Sequence, residues 1–374
     1  VELLSIYPSF QNIQQKPTLP HLHPVFQQIT IYSIERFKYI MKNKINKKYT
    51  YRITIIVTLC IVLMLLLFIW SLMTGQYPLS LHRIISGEKM QVMVFKRLRL
   101  PRALMGIIGG FGLGIAGNVY QMVFKNPLAS PDIVGVSSGA SAGAAFAIVM
   151  ISSAVPVVSL SAFAGAFITL IITLLIAYVV PGKSSYNIVL SGIAIHSLAQ
   201  TFLMILKLAA DPEKQLASIE YWIMGSLNAI SIDSIWLPLI ATIAGFIIML
   251  LLYRQIMILS VNEDEAAALG VNVTIIRLLI LTIATFVVSS IICTTGLISF
   301  IGLIAPHMAR LLTGRNDTKT FIISGLTGSI ILTVADIFAR SAAGTELPVS
   351  VFTSLLGAPV LIILLVKKHR GQYI

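Results

Sequence analysis

Four basic residues crowd into the stretch "FKRLRLPRALMG": Lys96, Arg97, Arg99 and Arg102. Arginine presents a planar fork of donors that pairs with carboxylates two bonds at a time, so such a cluster reads as a docking point for an acidic partner. Lipid phosphates are the competing partner. Arg340, in "ADIFAR", is a further basic residue just past an apolar run. A second constellation has the opposite sign. In "NEDEAAALG", from Asn262 to Gly270, Asn262 can cap a helix and Glu265 completes a capping box. Glu263, Asp264 and Glu265 sit at the positive end of that helix; Ala266, Ala267, Ala268 and Leu269 continue it, and Gly270 supplies a left-handed stop. Asn272 then caps the next helix, which predicts a compact knob suited to docking. An ordinary interhelical connector is the plain alternative.

Two enzyme-like motifs fail on context. "GASAG" at 139–143, overlapped by "GVSSG", matches G-x-S-x-G, but a nucleophile elbow needs a strand, a turn and acid and histidine partners. The serines at 137–141 lie instead in a glycine-ridged apolar helix. "GKSS" at 182–185 resembles the end of a phosphate-binding loop, yet the required first glycine falls at Ala177. No catalytic residue, metal-ligand set or cofactor site is expected. Cys60 and Cys293 sit in apolar segments and read as packing.

The elements that position these residues are membrane spans. Apolar residues make up 57% of the 374-residue chain and charged residues 11%, less than half the share of a soluble domain. Runs long enough to cross a bilayer recur along it, so the fold class is all-α: a polytopic membrane protein with about ten transmembrane helices. They are expected near 53–74, 102–124, 134–152, 155–180, 188–208, 232–253, 273–295, 298–312, 320–339 and 349–366. The eighth, with Pro306 and His307, is too short to cross alone and reads as a broken or re-entrant helix. Gly106, Gly110 and Gly114, and again Gly135, Gly139 and Gly143, recur at four-residue spacing, as close helix packing requires. Residues 1–40 lack the apolar core of a signal peptide and are expected to be a disordered or misannotated extension, with the transmembrane domain at 41–374.

An even number of spans puts both termini on one side, and "KNKINKK" and "KKHR" place that side in the cytoplasm of the cell membrane. The acidic loop near 260–275 then faces the cytoplasm. The cluster at 96–102, in a loop with Arg83 and Lys89, faces outward against the topology rule. Pro101 suits a first helical turn, which predicts a helix start with Arg99 and Arg102 pointing into the external medium. The net charge of +13 serves topology and lipid rather than nucleic acid, since no basic stretch is polar and interleaved with aromatics. Asn118, Gln121, His196, Gln200 and His307 are the intramembrane polar residues, and no carboxylate lies well inside a span. That disfavours a self-powered secondary transporter, the rival class, which usually keeps an ionisable site at mid-membrane. His196 and Gln200, one helical turn apart, suit either an aqueous pathway or buried packing.

"RLPRALMG", "YQMVFKNPLASPDIVGVSSGAS", "NEDEAAALGVN", "GLISFIGLIAPHMARLLTG" and "ELPVSVFTSLLGAPVLIILL" follow one another over residues 50–370. Together they resemble the membrane permeases of ATP-binding-cassette importers for iron-siderophores, haem and cobalamin, the FecCD type. The resemblance implies the type II importer architecture: a permease paired with itself or a paralogue, an extracellular or periplasmic substrate-binding protein, and two cytoplasmic ATP-binding subunits that hydrolyse the ATP. It implies binding-protein docking by Arg99, Arg102 and Arg340, and ATPase coupling by Asn262 to Gly270. It also implies a translocation pathway along the fifth and tenth helices, near His196, Gln200 and Gly357. The expected cargo is an iron(III)–siderophore complex, with haem or cobalamin as the alternative. The first forty residues match nothing in the pattern.

Overall fold

The computed structural model describes residues 24–180, 185–260, 272–342 and 347–369. The chain divides into two compact units, Val1–Ile55 and Ile56–Ile374. The described part of the first unit is the opening of a long helix, α1 (Pro24–Met73), whose segment Lys48–Met73 is apolar enough to span.

The second unit is a helical bundle. It runs through α2 (Leu81–Ile85), α3 (Lys89–Val94), a π-helical turn at Phe95–Arg99, and α4 (Leu100–Val123). There follow α5 (Val136–Phe146) with a second π turn at Ala147–Ile151, α6 (Val155–Val179), α7 (Ser185–Ala209) and the short α8 (Gln215–Met224). The remainder is α9 (Trp236–Leu251), α10 (Tyr253–Leu259), α11 (Val273–Thr295), α12 (Ile301–Thr313), α13 (Thr318–Ser341) and α14 (Val349–His369). Each expected span is a helix. Among the described residues seven are long and apolar enough to cross a membrane, and the segments at 136–151, 301–313 and 349–363 are shorter.

The glycine spacing has the consequence expected of it. α4 lies so close to α13 that a Cβ on Gly110 would stand 2.6 Å from Ser329 Cα and overlap the Gly328 carbonyl. One on Gly114 would overlap the Ser324 carbonyl, and one on Gly117 the Gly302 carbonyl of α12. Hydroxyl and amide groups bridge the seam, with Ser329 Oγ donating to Ile107 O at 2.8 Å and Asn118 Nδ2 to Ser324 Oγ at 3.3 Å. In lipid, where no hydrophobic force drives helices together, close backbone approach and such bridges hold them. Gly139 and Gly143 of α5 meet Gly165 and Ser161 of α6 in the same way.

α12 has 13 residues, roughly 20 Å at 1.5 Å per residue, against a hydrocarbon core of about 30 Å. The irregular backbone before it is partly covered by protein, with Gly296 and Ile298 buried. Gly296, at φ +71°, packs on the Trp222 carbonyl, and Ser226 N donates to Thr295 O at 2.7 Å. Gln121 of α4 reaches across to α12, donating to Leu303 O at 3.1 Å and accepting from Arg310. The short helix is therefore tied at both ends.

The expected helix start at Pro101 is corrected. α3, the π turn and α4 form one continuous helix, Lys89–Val123, of 35 residues. Proline inside a helix removes a donor and clashes with the carbonyl four residues back. The widened turn just before it, where Leu100 N–H bonds to Phe95 O five residues back, accommodates Pro101 within the continuous helix.

Candidate functional site

The π turn also decides where the basic cluster points. Arg99 and Arg102 are 6% and 5% exposed, whereas Lys96 and Arg97 face outward. Arg102 Nε lies 2.7 Å from Asp336 Oδ1, and Arg340 Nη2 lies 2.6 Å from Asp336 Oδ2. One carboxylate, itself 1% exposed, thus holds two guanidiniums. Arg340 continues to the end of α1, donating to Ser71 O at 3.1 Å, Thr74 O at 3.2 Å and Ser71 Oγ at 2.6 Å. Arg99 donates to Tyr77 O at 3.2 Å and lies across Gly75, where no side chain would fit. The structure therefore corrects the expectation that Arg99 and Arg102 point into the medium. Arg102 meets a carboxylate and Arg99 a carbonyl inside the bundle, where α4 passes the ends of α1 and α13. Asp336, near the end of the expected span 320–339, is the centre of the cluster. The signal was legible: Asp336 and Arg340 stand four residues apart on one helix, the spacing of an ion pair.

At the other end of α13, the stalk of the acidic knob is braced. Tyr253, the first residue of α10, donates through Oη to Asp317 O at 2.8 Å. Its ring packs on Phe321 of α13, centroids 5.2 Å apart, and Phe246 of α9 stacks on the same ring at 5.8 Å. Asn272 caps α11 as expected, its Oδ1 accepting from Ile275 N at 3.2 Å. The knob itself, Asn262 to Gly270, lies outside the described residues, as does 181–184, which takes in most of "GKSS".

His196 and Gln200 are half-buried on α7. Beside them an apolar groove of about 530 Å³ runs between α5, α6 and α7, lined by Phe146, Thr169, Ile195, Leu198, Ala199 and Phe202 among others. His196 and Gln200 are not in its wall. Gly357 of α14 is buried against Phe300, 2.6 Å from where its Cβ would stand, so here it serves the packing of α14 on the start of α12. The serines of the rejected hydrolase motif bond locally: Ser138 Oγ to Gly135 O at 3.0 Å, Ser141 Oγ to Ser137 O at 3.0 Å, and Ser137 Oγ to Asp132.

The arrangement is one of helices joined at their ends by charge and aromatic contacts. Comparison with known proteins agrees with such a role. The profile of the FecCD transport family matches residues 63–367. The cobalamin import system permease protein BtuC of Halobacterium salinarum is 36% identical over 299 residues, 79% of each chain. The ferric enterobactin transport system permease protein FepG of Escherichia coli is 32% identical over 314 residues, 81% of this chain and 93% of that one. A solved metal-chelate type ABC transporter in an inward-facing conformation superposes with a TM-score of 0.77 at 31% identity, covering 83% of this chain and 99% of that one.

Proposed function

The chain belongs to the FecCD transport family and is a permease subunit of an ABC importer, and on that premise we propose that its cargo is an iron(III)–siderophore complex. Delivery falls to a binding protein at the end where Asp336 gathers the arginines. Energy comes from two ATP-binding subunits at the Asn262–Gly270 end, with a second permease subunit completing the assembly. The likeness to a metal-chelate transporter over 83% of the chain carries this reading. The ferric enterobactin relative supports iron as cargo, and the cobalamin relative keeps cobalamin as its competitor.

The mechanism follows from how the two ends are joined. A pull on the knob reaches α10, and Tyr253 with Phe321 passes it to α13. α13 is seamed to α4 along the glycine ridge and ends in the Arg102–Asp336–Arg340 cluster. Helices fastened in this way move as a body, which is what alternating access requires. Arg99, Arg102 and Arg340 then serve docking by fixing the helix ends that a binding protein meets. No covalent chemistry falls to this chain.

The test is uptake by vesicles reconstituted with both partner proteins. Ferric-siderophore uptake should exceed cobalamin and haem uptake; the reverse order reassigns the cargo. Glu263→Ala, Asp264→Ala and Glu265→Ala together should leave membrane insertion intact and cut coupled uptake about tenfold, as a loss of roughly 1.4 kcal/mol of docking would. Normal coupling in that variant would return the knob to a plain connector. Tyr253→Phe removes one hydrogen bond, worth about 1 kcal/mol. It should lower uptake per ATP hydrolysed while ATPase association is unchanged.

A further inference from the structure

With Arg99 and Arg102 turned inward, the outward half of the basic cluster is left to explain. The helix Lys89–Val123 has 35 residues, about 52 Å at 1.5 Å per residue, against a hydrocarbon core of about 30 Å. Its charged end must overhang the core, and Lys89 to Leu98 is that end. The overhang is not polar throughout. Met90, Met93 and Leu98 are 52%, 45% and 55% exposed, between the exposed Lys89, Lys96 and Arg97. α2, beside it, repeats the mixture: Ile85 is 84% exposed and Leu81 62%, flanking the exposed Arg83.

This face is held in place rather than loose. Gln91, 2% exposed, accepts from Ser80 N at 3.1 Å and donates to Pro78 O at 3.4 Å, and Arg99 holds Tyr77 O. Only seven residues, 74–80, separate α2 from the end of the α1 span, so α2 stays at the level where that span leaves the membrane. Trp70, in the last turn of that span, and Tyr77, in the linker after it, are both exposed, and such aromatics favour the headgroup region. Glu88 is the single acidic residue between Gly75 and Leu100, and its contact with Arg83 is a loose 4.0 Å between exposed groups.

We propose that Leu81–Leu98 is a binding surface for anionic phospholipid headgroups. Arg83, Lys89, Lys96 and Arg97 take the phosphates, while the exposed Leu, Ile and Met side chains enter the acyl boundary beneath them. Basic groups above apolar ones at the interface are what an anionic leaflet binds, each lysine or arginine adding attraction that salt screens. Such a surface would act whichever cargo the permease carries.

The test places the full chain in lipid nanodiscs with Met93→Cys carrying an environment-sensitive fluorophore; Cys60 and Cys293 are buried and do not compete for the label. Brominated phosphatidylglycerol should quench the probe several-fold more than brominated phosphatidylcholine at equal mole fraction. Arg83→Gln, Lys89→Gln, Lys96→Gln and Arg97→Gln together should abolish that preference while quenching by both lipids continues. If the fourfold variant fails to insert, raising salt on the labelled parent should erase the preference in its place. Equal quenching in the labelled parent overturns the proposal, since it means ordinary apolar contact. Absence of quenching also overturns it, placing the segment in the aqueous medium where a protein partner is its occupant.

Discussion

Asp336→Asn is expected to be the most damaging single substitution at the end where α1, α4 and α13 meet. It removes the one carboxylate shared by two buried guanidiniums, 2.7 and 2.6 Å away, and leaves Arg102 and Arg340 facing each other at 5% and 2% exposure. Breaking a buried ion pair from one side destabilises by ~3–5 kcal/mol, because a charge stays behind in a low dielectric. The purified variant should unfold at markedly lower temperature, and less should accumulate in the membrane. Arg102→Met, Asp336→Leu and Arg340→Met together remove every charge of the cluster, an exchange that is often neutral or stabilising. That triple variant should regain thermal stability. It also separates two roles. If uptake returns with stability, the cluster is a clamp and nothing more. If stability returns while association with the binding protein stays lost, the arginines act in docking as well. A wild-type melting temperature for Asp336→Asn would remove the cluster from any account of the fold.

Gly110→Val is expected to separate α4 from α13. Even the first added carbon would stand 2.6 Å from Ser329 Cα and overlap the Gly328 carbonyl, and backbone cannot rotate away as a side chain can. Overpacking of this kind typically destabilises by ~1–3 kcal/mol, and a branched side chain against backbone belongs at or above the upper end. The seam's hydrogen bonds, Ser329 to Ile107 and Asn118 to Ser324, would lengthen with it. Gly106→Ala is the control on the same ridge. Its Cβ would meet Thr333 Oγ1 at 3.3 Å, a hydroxyl able to shift by a few tenths of an ångström. Thermal unfolding of the two proteins in one detergent should put Gly110→Val well below the parent and Gly106→Ala near it. Equal effects would mean that the ridge is not the seam.

Much of the architecture was legible because bilayer crossing is a matter of length and composition. The ten expected segments are helices here, with ends displaced by a few residues, and the eighth is short as Pro306 and its length foretold. α8 was not foreseen: "QLASIEYWIM" is too short to register as a span and owes its position to neighbours. Gln215 at its start donates to Ile148 O at 3.2 Å, a carbonyl in the second π turn. Tyr253 was passed over for a related reason. A tyrosine at a helix start has no periodic signal, and its partners Asp317 and Phe321 are more than sixty residues away in sequence.

The sequence by itself determined the class, the spans, the glycine ridges, the Asn272 cap and the family, because each rests on local composition, spacing or block order that survives without coordinates. It also contained both halves of the Asp336–Arg340 pair. Only the tertiary structure decided which side of the helix each basic residue takes. A π turn of five residues changes helical phase, so within one run Lys96 and Arg97 face outward while Arg99 and Arg102 turn to the bundle. Nothing in "FKRLRLPR" specifies that turn. The partners that make inward arginines tolerable, a carboxylate on α13 and carbonyls at the end of α1, come from segments hundreds of residues apart or across a loop, and a buried charge is stable only where such partners meet it.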